Sequence, residues 1–373
     1  MSVRSDIQMA GPSITDHEVK TVADCMANGW FNYDYVERFE REFAAYHGRR
    51  FGLMTPNCTS AIHLLLLGLG VGAADEVILP ECTWIASAAP VTYQGARTVL
   101  CDIEEDSWCM DPRALERAIT KNTKAFIAVD LFGNMPRMTE LEAIARDRGI
   151  FFIEDAAEAV GSTYRGRRAG SFGVGSVFSF HRTKTICTGE GGMLLLDDLD
   201  LFERCQLLRD HGRGPKTKPY FNEAITPKYM PFNLQAAMGL AQFQRIEELV
   251  GMKRHMFHKY RERLGHLPGI HLNAEPPHAT NGAWITGLVF GRELGIDKPT
   301  AIARLAELGV PARPFFYPLS SIPAYAGREE QGRLDSPVAY DVSARGINLP
   351  CSFTLTDDQL DFICDGVERL VQG

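Results

Sequence analysis

The stretch Ser179-Phe-His-Arg-Thr-Lys184-Thr-Ile-Cys-Thr-Gly-Glu-Gly-Gly192 sets a lysine a few residues past an apolar run and just ahead of a glycine-rich turn. Read as a buried strand, the run leaves Lys184 beyond its carboxyl end, where open α/β sheets gather ligands. A partly desolvated amine in such a place can form a Schiff base with a carbonyl. A second run, Phe151-Phe-Ile-Glu154-Asp155-Ala-Ala-Glu158, ends in acids, and a carboxylate there can hold a protonated pyridine nitrogen and make its ring an electron sink. Asn57-Cys58-Thr59-Ser60 opens a helical pattern, and backbone N–H groups with hydroxyls at a helix start make an anion cradle. Trp84, in Pro80-Glu-Cys-Thr-Trp84, can stack on a flat ring. Each piece also has an ordinary reading: a solvated loop lysine, a helix cap at Asp155 or Asn57, a core tryptophan.

The elements that position these residues follow from the apolar pattern. Runs at Glu76–Pro80, Arg97–Cys101, Ala125–Asp130, Ile150–Glu154, Ser176–Phe180 and Gly192–Leu196 show no in/out alternation, which predicts strands buried on both faces. Helical patterns at Ala61–Leu69, Pro112–Ile119 and Met138–Arg148 alternate with them, and together they predict a large α/β domain. A single long helix is predicted over Leu234–Leu264. After the turn-rich segment Leu267–Gly282 come a strand (Trp284–Phe290), a helix (Thr300–Leu308), a strand near Arg313–Phe316 and a closing helix (Asp357–Val371). These predict a smaller C-terminal α+β domain, with residues 1–245 in the large domain and 246–373 in the small one.

Composition narrows the function classes. The chain has 373 residues, 45% hydrophobic and 23% charged, which excludes a disordered tail, a fibrous repeat and a disulfide scaffold. Its net charge of −8 offers no overall basic face for nucleic acid. Nine cysteines without a C-x-x-C pair read as reduced thiols rather than disulfides or a metal site. The longest apolar run, Ile62–Leu69, is far shorter than the ~20 residues of a membrane span, and the N-terminal segment shows no apolar leader pattern. A soluble, cytoplasmic protein with no membrane or nucleic-acid partner is expected. Gly173-Val-Gly175 and Gly189-Glu-Gly-Gly192 fall short of G-x-G-x-x-G, which argues against a nucleotide-binding dehydrogenase.

Taken in order, the four motifs resemble the sugar aminotransferases of the DegT/DnrJ/EryC1/StrS family, which use pyridoxal phosphate, from Trp30 to the C-terminal helix. The chain is most similar to perosamine-synthase-like members, through Glu154-Asp-Ala-Ala-Glu-Ala-Val-Gly161, Thr188-Gly-Glu-Gly-Gly-Met193 and Gln235-Ala-Ala-Met-Gly-Leu-Ala-Gln242. The resemblance implies the aspartate aminotransferase-like α/β fold (fold type I): a mostly parallel seven-stranded sheet flanked by helices, plus a smaller C-terminal α+β domain. It implies pyridoxal 5'-phosphate as cofactor, with Lys184 as the Schiff-base lysine and Asp155 as partner of the pyridine nitrogen. Trp84 then stacks on the ring, Thr59, Ser60 and Ser179 take the phosphate, and Glu158 stands near the ring hydroxyl.

Three positions depart from the family pattern. Cys58 replaces a glycine, Ser320 stands where perosamine-synthase-like members carry His, and Lys228 stands where an Asn often reaches the neighbouring subunit's cofactor phosphate. The implied reaction moves an amino group from glutamate to a nucleotide-linked keto-sugar, a 4-keto-6-deoxyhexose, in amino-sugar and polysaccharide biosynthesis. His181, Arg182, Lys228 and Arg313 are the candidates for its diphosphate. A homodimer with active sites at the interface is implied as well. An antibiotic-pathway aminotransferase or dehydratase acting on a cyclitol or aromatic substrate also keeps the lysine and is the alternative. The C3-deoxygenating branch replaces it with His, and a pyridoxal-binding regulator carries an N-terminal DNA-binding domain that this chain leaves no room for.

Overall fold

Strands that are apolar on both faces need cover on both sides. In the computed structural model, which describes residue 4 and residues 6–372 other than 216, 326 and 328, they form the middle of a seven-stranded sheet. Its order is Phe51–Thr55, Gly192–Leu196, Gly175–Ser179, Phe151–Asp155, Thr123–Val129, Glu76–Pro80, Arg97–Cys101. Gly192–Leu196 runs antiparallel to both of its neighbours, while the pairings from Gly175–Ser179 through to Arg97–Cys101 are parallel.

One face of the sheet is covered by helix Cys58–Gly68, which is apolar nearly all round and buried for that reason, with helix Leu199–Arg209 outside it. Aromatic side chains cover the other face. Phe43 of helix Asp34–Tyr46 packs edge-on against Phe178 at 5.0 Å and Phe180 at 5.3 Å, beside Ala236 and Leu240 of helix Asn233–Phe243.

The predicted single helix over Leu234–Leu264 is two helices, Asn233–Phe243 and Ile246–Leu264. Arg245 leaves the helical path (φ −108°, ψ 15°), and its guanidinium reaches Glu18 Oε1 at 2.7 Å and Ser13 Oγ at 2.9 Å. That break ties down helix Asp16–Asn28, whose start carries a Thr15/Glu18 capping box.

The C-terminal unit is an antiparallel four-stranded sheet in the order Ile270–Leu272, Gly287–Phe290, Gly346–Asn348, Arg313–Pro314. Helices Ile246–Leu264, Lys298–Glu307 and Asp357–Gln372 share one core with it. Ile7 packs into that same core, and the Arg4 N–H donates to the Gly309 carbonyl at 3.1 Å, so the first described residues lie with the last third of the chain. Two strands are shorter than expected. Trp284 turns off the end of Gly287–Phe290, next to Ala283 at φ 55°, and the Arg313–Phe316 stretch keeps ladder pairing only at Arg313–Pro314. All nine cysteines are free and buried, and no helix among the described residues is long and apolar enough to cross a membrane.

Gly192 is where the antiparallel strand meets the start of helix Cys58–Gly68. A Cβ there would lie 2.5 Å from the Asn57 carbonyl carbon and 2.6 Å from the Cys58 nitrogen. Gly192→Ala is expected to destabilise the fold by about 1–3 kcal/mol, the usual penalty of overpacking, measured by urea unfolding. Wild-type stability in this variant would mean that strand and helix are not in contact.

Candidate active site

Five strands of the large sheet deliver residues from their carboxyl ends into one cavity of about 410 Å³. Thr55 leads to Asn57, Cys58 and Thr59; Pro80 leads to Thr83, Trp84 and Ser87; Val129 itself lines the wall; the strand Phe151–Asp155 contributes Asp155 and then Glu158; Ser179 leads to His181, Arg182 and Lys184. Trp284, Arg313 and Phe316 close it from the C-terminal unit.

Lys184 sits in a loop that the backbone folds tightly on itself: Phe180 and Gly191, Thr188 and Phe180, Arg182 and Gly189 are joined by N–H···O bonds of 2.8 Å. Its Nζ lies 3.1 Å from Glu158 Oε1 and 3.6 Å from the centroid of the Trp284 ring. Glu158 is aimed by its other oxygen, which accepts the Phe132 N–H at 2.9 Å. Phe132 adopts φ 56°, a left-handed conformation that is costly for a bulky residue and here turns its N–H toward the carboxylate. Trp284 is aimed by its indole N–H, which donates to the Thr183 carbonyl at 2.6 Å.

Asp155 is buried, and its two oxygens accept the Ser87 hydroxyl at 2.7 Å and the Ala157 N–H at 3.1 Å. Burial pushes its pKa up, while those two hydrogen bonds and the Lys184 charge pull against burial. Beside it, burial raises the Cys58 thiol well above its ordinary range, so it is a neutral filler in the wall. Cys58 is the first residue of its helix, capped by Asn57, so no glycine conformation is needed there.

The other predicted residues divide. Thr59 and Ser179 line the cavity. Ser60 stands behind them, its hydroxyl donating to the capping Asn57 Oδ1 at 3.0 Å. Trp84 is a wall rather than core, 59% exposed, with its ring 5.9 Å from that of Phe316. His181, Arg182 and Arg313 are also on the lining. His181 Nδ1 is 2.9 Å from Thr183 Oγ1, and burial lowers its pKa against the opposing charge of Glu190.

Lys228 lies outside this chain's own cavity and is paired with Asp210. Ser320 is buried at the seam between the two units, its N–H and hydroxyl donating to Glu81 Oε1 at 2.7 and 2.6 Å. Ser87, Phe132, Trp284 and Phe316 were not found from the sequence. Ser87 had a faint signal, a hydroxyl three residues after Trp84 at a strand end, and the others had none.

An amine, a buried acid across from it, an aromatic wall, and two hydroxyls beside a capped helix start suit a flat, phosphate-bearing carbonyl compound with a ring nitrogen. Ser87→Ala removes one of the two hydrogen bonds that hold Asp155. It is expected to weaken pyridoxal phosphate binding roughly tenfold, the worth of one bond to a charged group, read by equilibrium dialysis. Unchanged affinity would mean that Asp155 is not held through Ser87.

The DegT/DnrJ/EryC1/StrS aminotransferase family matches residues 12–368. The GDP-perosamine synthase of Caulobacter vibrioides is 35% identical over 377 residues, covering 100% of each chain. That of Escherichia coli O157:H7 is 33% identical over 360 residues, covering 96% of each. A Streptococcus pneumoniae protein described as a sugar aminotransferase, solved in its PLP form, superposes with a TM-score of 0.91 at 27% identity over 98% of both chains. The chain belongs to the DegT/DnrJ/EryC1/StrS aminotransferase family and is a pyridoxal-phosphate-dependent aminotransferase.

Proposed function

We propose that this enzyme moves the amino group of glutamate onto the keto carbon of a nucleotide-linked 4-keto-6-deoxyhexose. The reading is carried by one cavity that holds Lys184, Glu158 and Asp155 together with the cations Arg182 and Arg313. When bound, pyridoxal phosphate supplies an electron sink for the charge left as the donor carbon loses its proton.

The protein's own groups do the rest. Lys184 takes the proton from the α-carbon of glutamate and, in the second half-reaction, gives one to the sugar carbon that becomes the amine carbon. Glu158 keeps the Lys184 amine in reach of both. Asp155 would hold the ring nitrogen of the cofactor, and Trp84 would cover its ring. Thr59, Ser179 and the N–H groups opening helix Cys58–Gly68 would hold the phosphate, with Ser60 behind them steadying the capping Asn57. His181, Arg182 and Arg313 face the acceptor's diphosphate.

The working unit is a homodimer. Trp30, Phe31, Tyr220, Phe221, Ile225 and Phe232 are large, apolar and exposed, with Phe31 at 99% and Ile225 at 107%. Trp30 and Phe232 touch edge-on at 5.1 Å, so the two segments that carry these residues meet. Exposed apolar surface of this kind marks an interface, and a second copy is its occupant. Lys228 lies between Ile225 and Phe232 in the chain, half-exposed beside Asp210, and this interface would bring it to the partner's cofactor phosphate.

Loaded with pyridoxal phosphate, the protein is expected to gain a visible absorbance band that glutamate moves to the near ultraviolet and a nucleotide-linked 4-keto-6-deoxyhexose restores. Lys184→Ala is expected to abolish the response to glutamate. A band that glutamate moves but no nucleotide-linked keto-sugar restores would overturn the sugar assignment and leave the cyclitol or aromatic reading. Ile225→Glu is expected to convert the dimer to monomer in sedimentation and to lose activity with it. A dimer of undiminished stability would remove this face from the interface.

A further inference from the structure

A second cavity of about 370 Å³ adjoins the catalytic one and shares Trp84, Trp284, Arg313 and Phe316 with it. Phe132, Phe315 and Tyr317 complete its aromatic lining. Rings with a single cation suit a substrate that is apolar on one side and anionic on the other, as a deoxy-sugar joined to a diphosphate is. The wall segment Phe315–Tyr317 belongs to no helix or strand, so something else fixes it.

The fixing groups lie on its far side. Lys298 Nζ donates to the Phe315 carbonyl at 3.2 Å, lies 3.2 Å from Ser343 Oγ and stands 3.7 Å from the Tyr317 ring centroid. Ser343 Oγ donates to the next carbonyl, Phe316, at 2.6 Å, and the Cys82 thiol reaches the same carbonyl at 3.3 Å. Two successive carbonyls and one ring of the wall are thus held from behind.

Lys298 is an expensive way to do this. It is 4% exposed, and among the described residues no carboxylate pairs with it. It is also the first residue of helix Lys298–Glu307, at the positive end of the helix dipole. The neighbouring Asp297 is occupied as the N-cap, accepting the Thr300 N–H at 2.9 Å. A buried ammonium with no carboxylate partner among the described residues thus stands directly behind the aromatic wall.

We propose that Lys298 is a positioning residue that holds the aromatic wall Phe315–Tyr317 and thereby sets the affinity for the sugar acceptor. The inference rests on the sugar-aminotransferase reading above. It carries a pH signature: burial lowers the Lys298 pKa to about 8, so its charge is present below that pH and lost above it. The groups facing it are the Tyr317 ring and the Cys82 thiol, which burial raises and keeps neutral, so that the thiol supplies no compensating charge near neutrality.

The test compares wild type with Lys298→Met in the two half-reactions. The expected variant keeps its melting temperature and its rate with glutamate, while KM for the nucleotide-linked keto-sugar rises roughly tenfold at near-constant kcat, the worth of a lost hydrogen bond. Calorimetric affinity for the same sugar falls by the same factor. Wild-type KM climbs as pH passes about 8, and that step is missing in the variant. An unchanged KM overturns the proposal, as does joint loss of stability and both half-reactions, which marks a merely structural lysine. If wild type itself fails to respond to glutamate or to the sugar, it is the aminotransferase reading that falls.

Discussion

A carboxylate stays ionised when buried only where hydrogen-bond donors are built around it, and the strand Phe151–Asp155 delivers two acids in succession. Strand alternation sends them to opposite faces. Glu154 accepts the Gly170 N–H at 2.7 Å and the Phe172 N–H at 2.9 Å, while Arg49 donates to the Gly170 carbonyl at 2.7 Å and to Asp197 at 2.7 Å. This network ties the Gly170–Phe172 turn to the start of strand Phe51–Thr55 and to the end of strand Gly192–Leu196. Asp130, buried against Glu154, is pushed far above the carboxylate range by burial and by its neighbour's charge, so the cluster avoids a second buried anion. With Glu154 held on the lower face, Asp155 is free to serve the cavity. Shifting the strand by one residue would exchange the two acids and dismantle both arrangements.

The cavity has a divided origin. Its floor comes from the parallel sheet, where cofactor chemistry belongs, and much of its roof comes from Trp284, Arg313 and Phe316 of the C-terminal unit. A seam keeps the two in register. The Leu319 N–H donates to the Glu81 carbonyl at 2.8 Å, Cys82 pairs with Pro318 as an isolated bridge, and Ser320 binds the Glu81 carboxylate, whose pKa burial raises. Ser320 thus works on the frame of the roof rather than inside the cavity.

How far the sequence could be read depended on whether a residue's role is local. Lys184, Asp155 and Glu158 lie just beyond runs whose burial is legible from composition alone, so their convergence follows from the rule that parallel strands open at one end. The central strands were legible for the same reason. Ser87, Trp284 and Phe316 were not, because each reaches the cavity through a turn whose path is set by tertiary contacts. The break at Arg245 was hidden too: its helix propensity is good, and the partners that hold it out of line, Ser13 and Glu18, are distant in sequence. The N-terminal helices were missed although Thr15-Asp-His-Glu18 spells a capping box. Lys228 was singled out by its place in a motif, and within one chain it pairs with Asp210.

The contact between Gly192 and the start of helix Cys58–Gly68 also fixes an order of events. Among the described residues the strand Phe51–Thr55 pairs with Gly192–Leu196 alone, and Thr55 lies opposite Gly192. During synthesis the anion cradle at Asn57–Thr59 therefore stays unbacked until the chain has grown well past the lysine loop. Such long-range closure is slow, and an edge strand waiting for its neighbour is exposed to wrong pairings in the interval. The helix start at Asn57–Thr59 and the strand that follows the lysine loop therefore reach their final packing together, after both stretches of chain have been made.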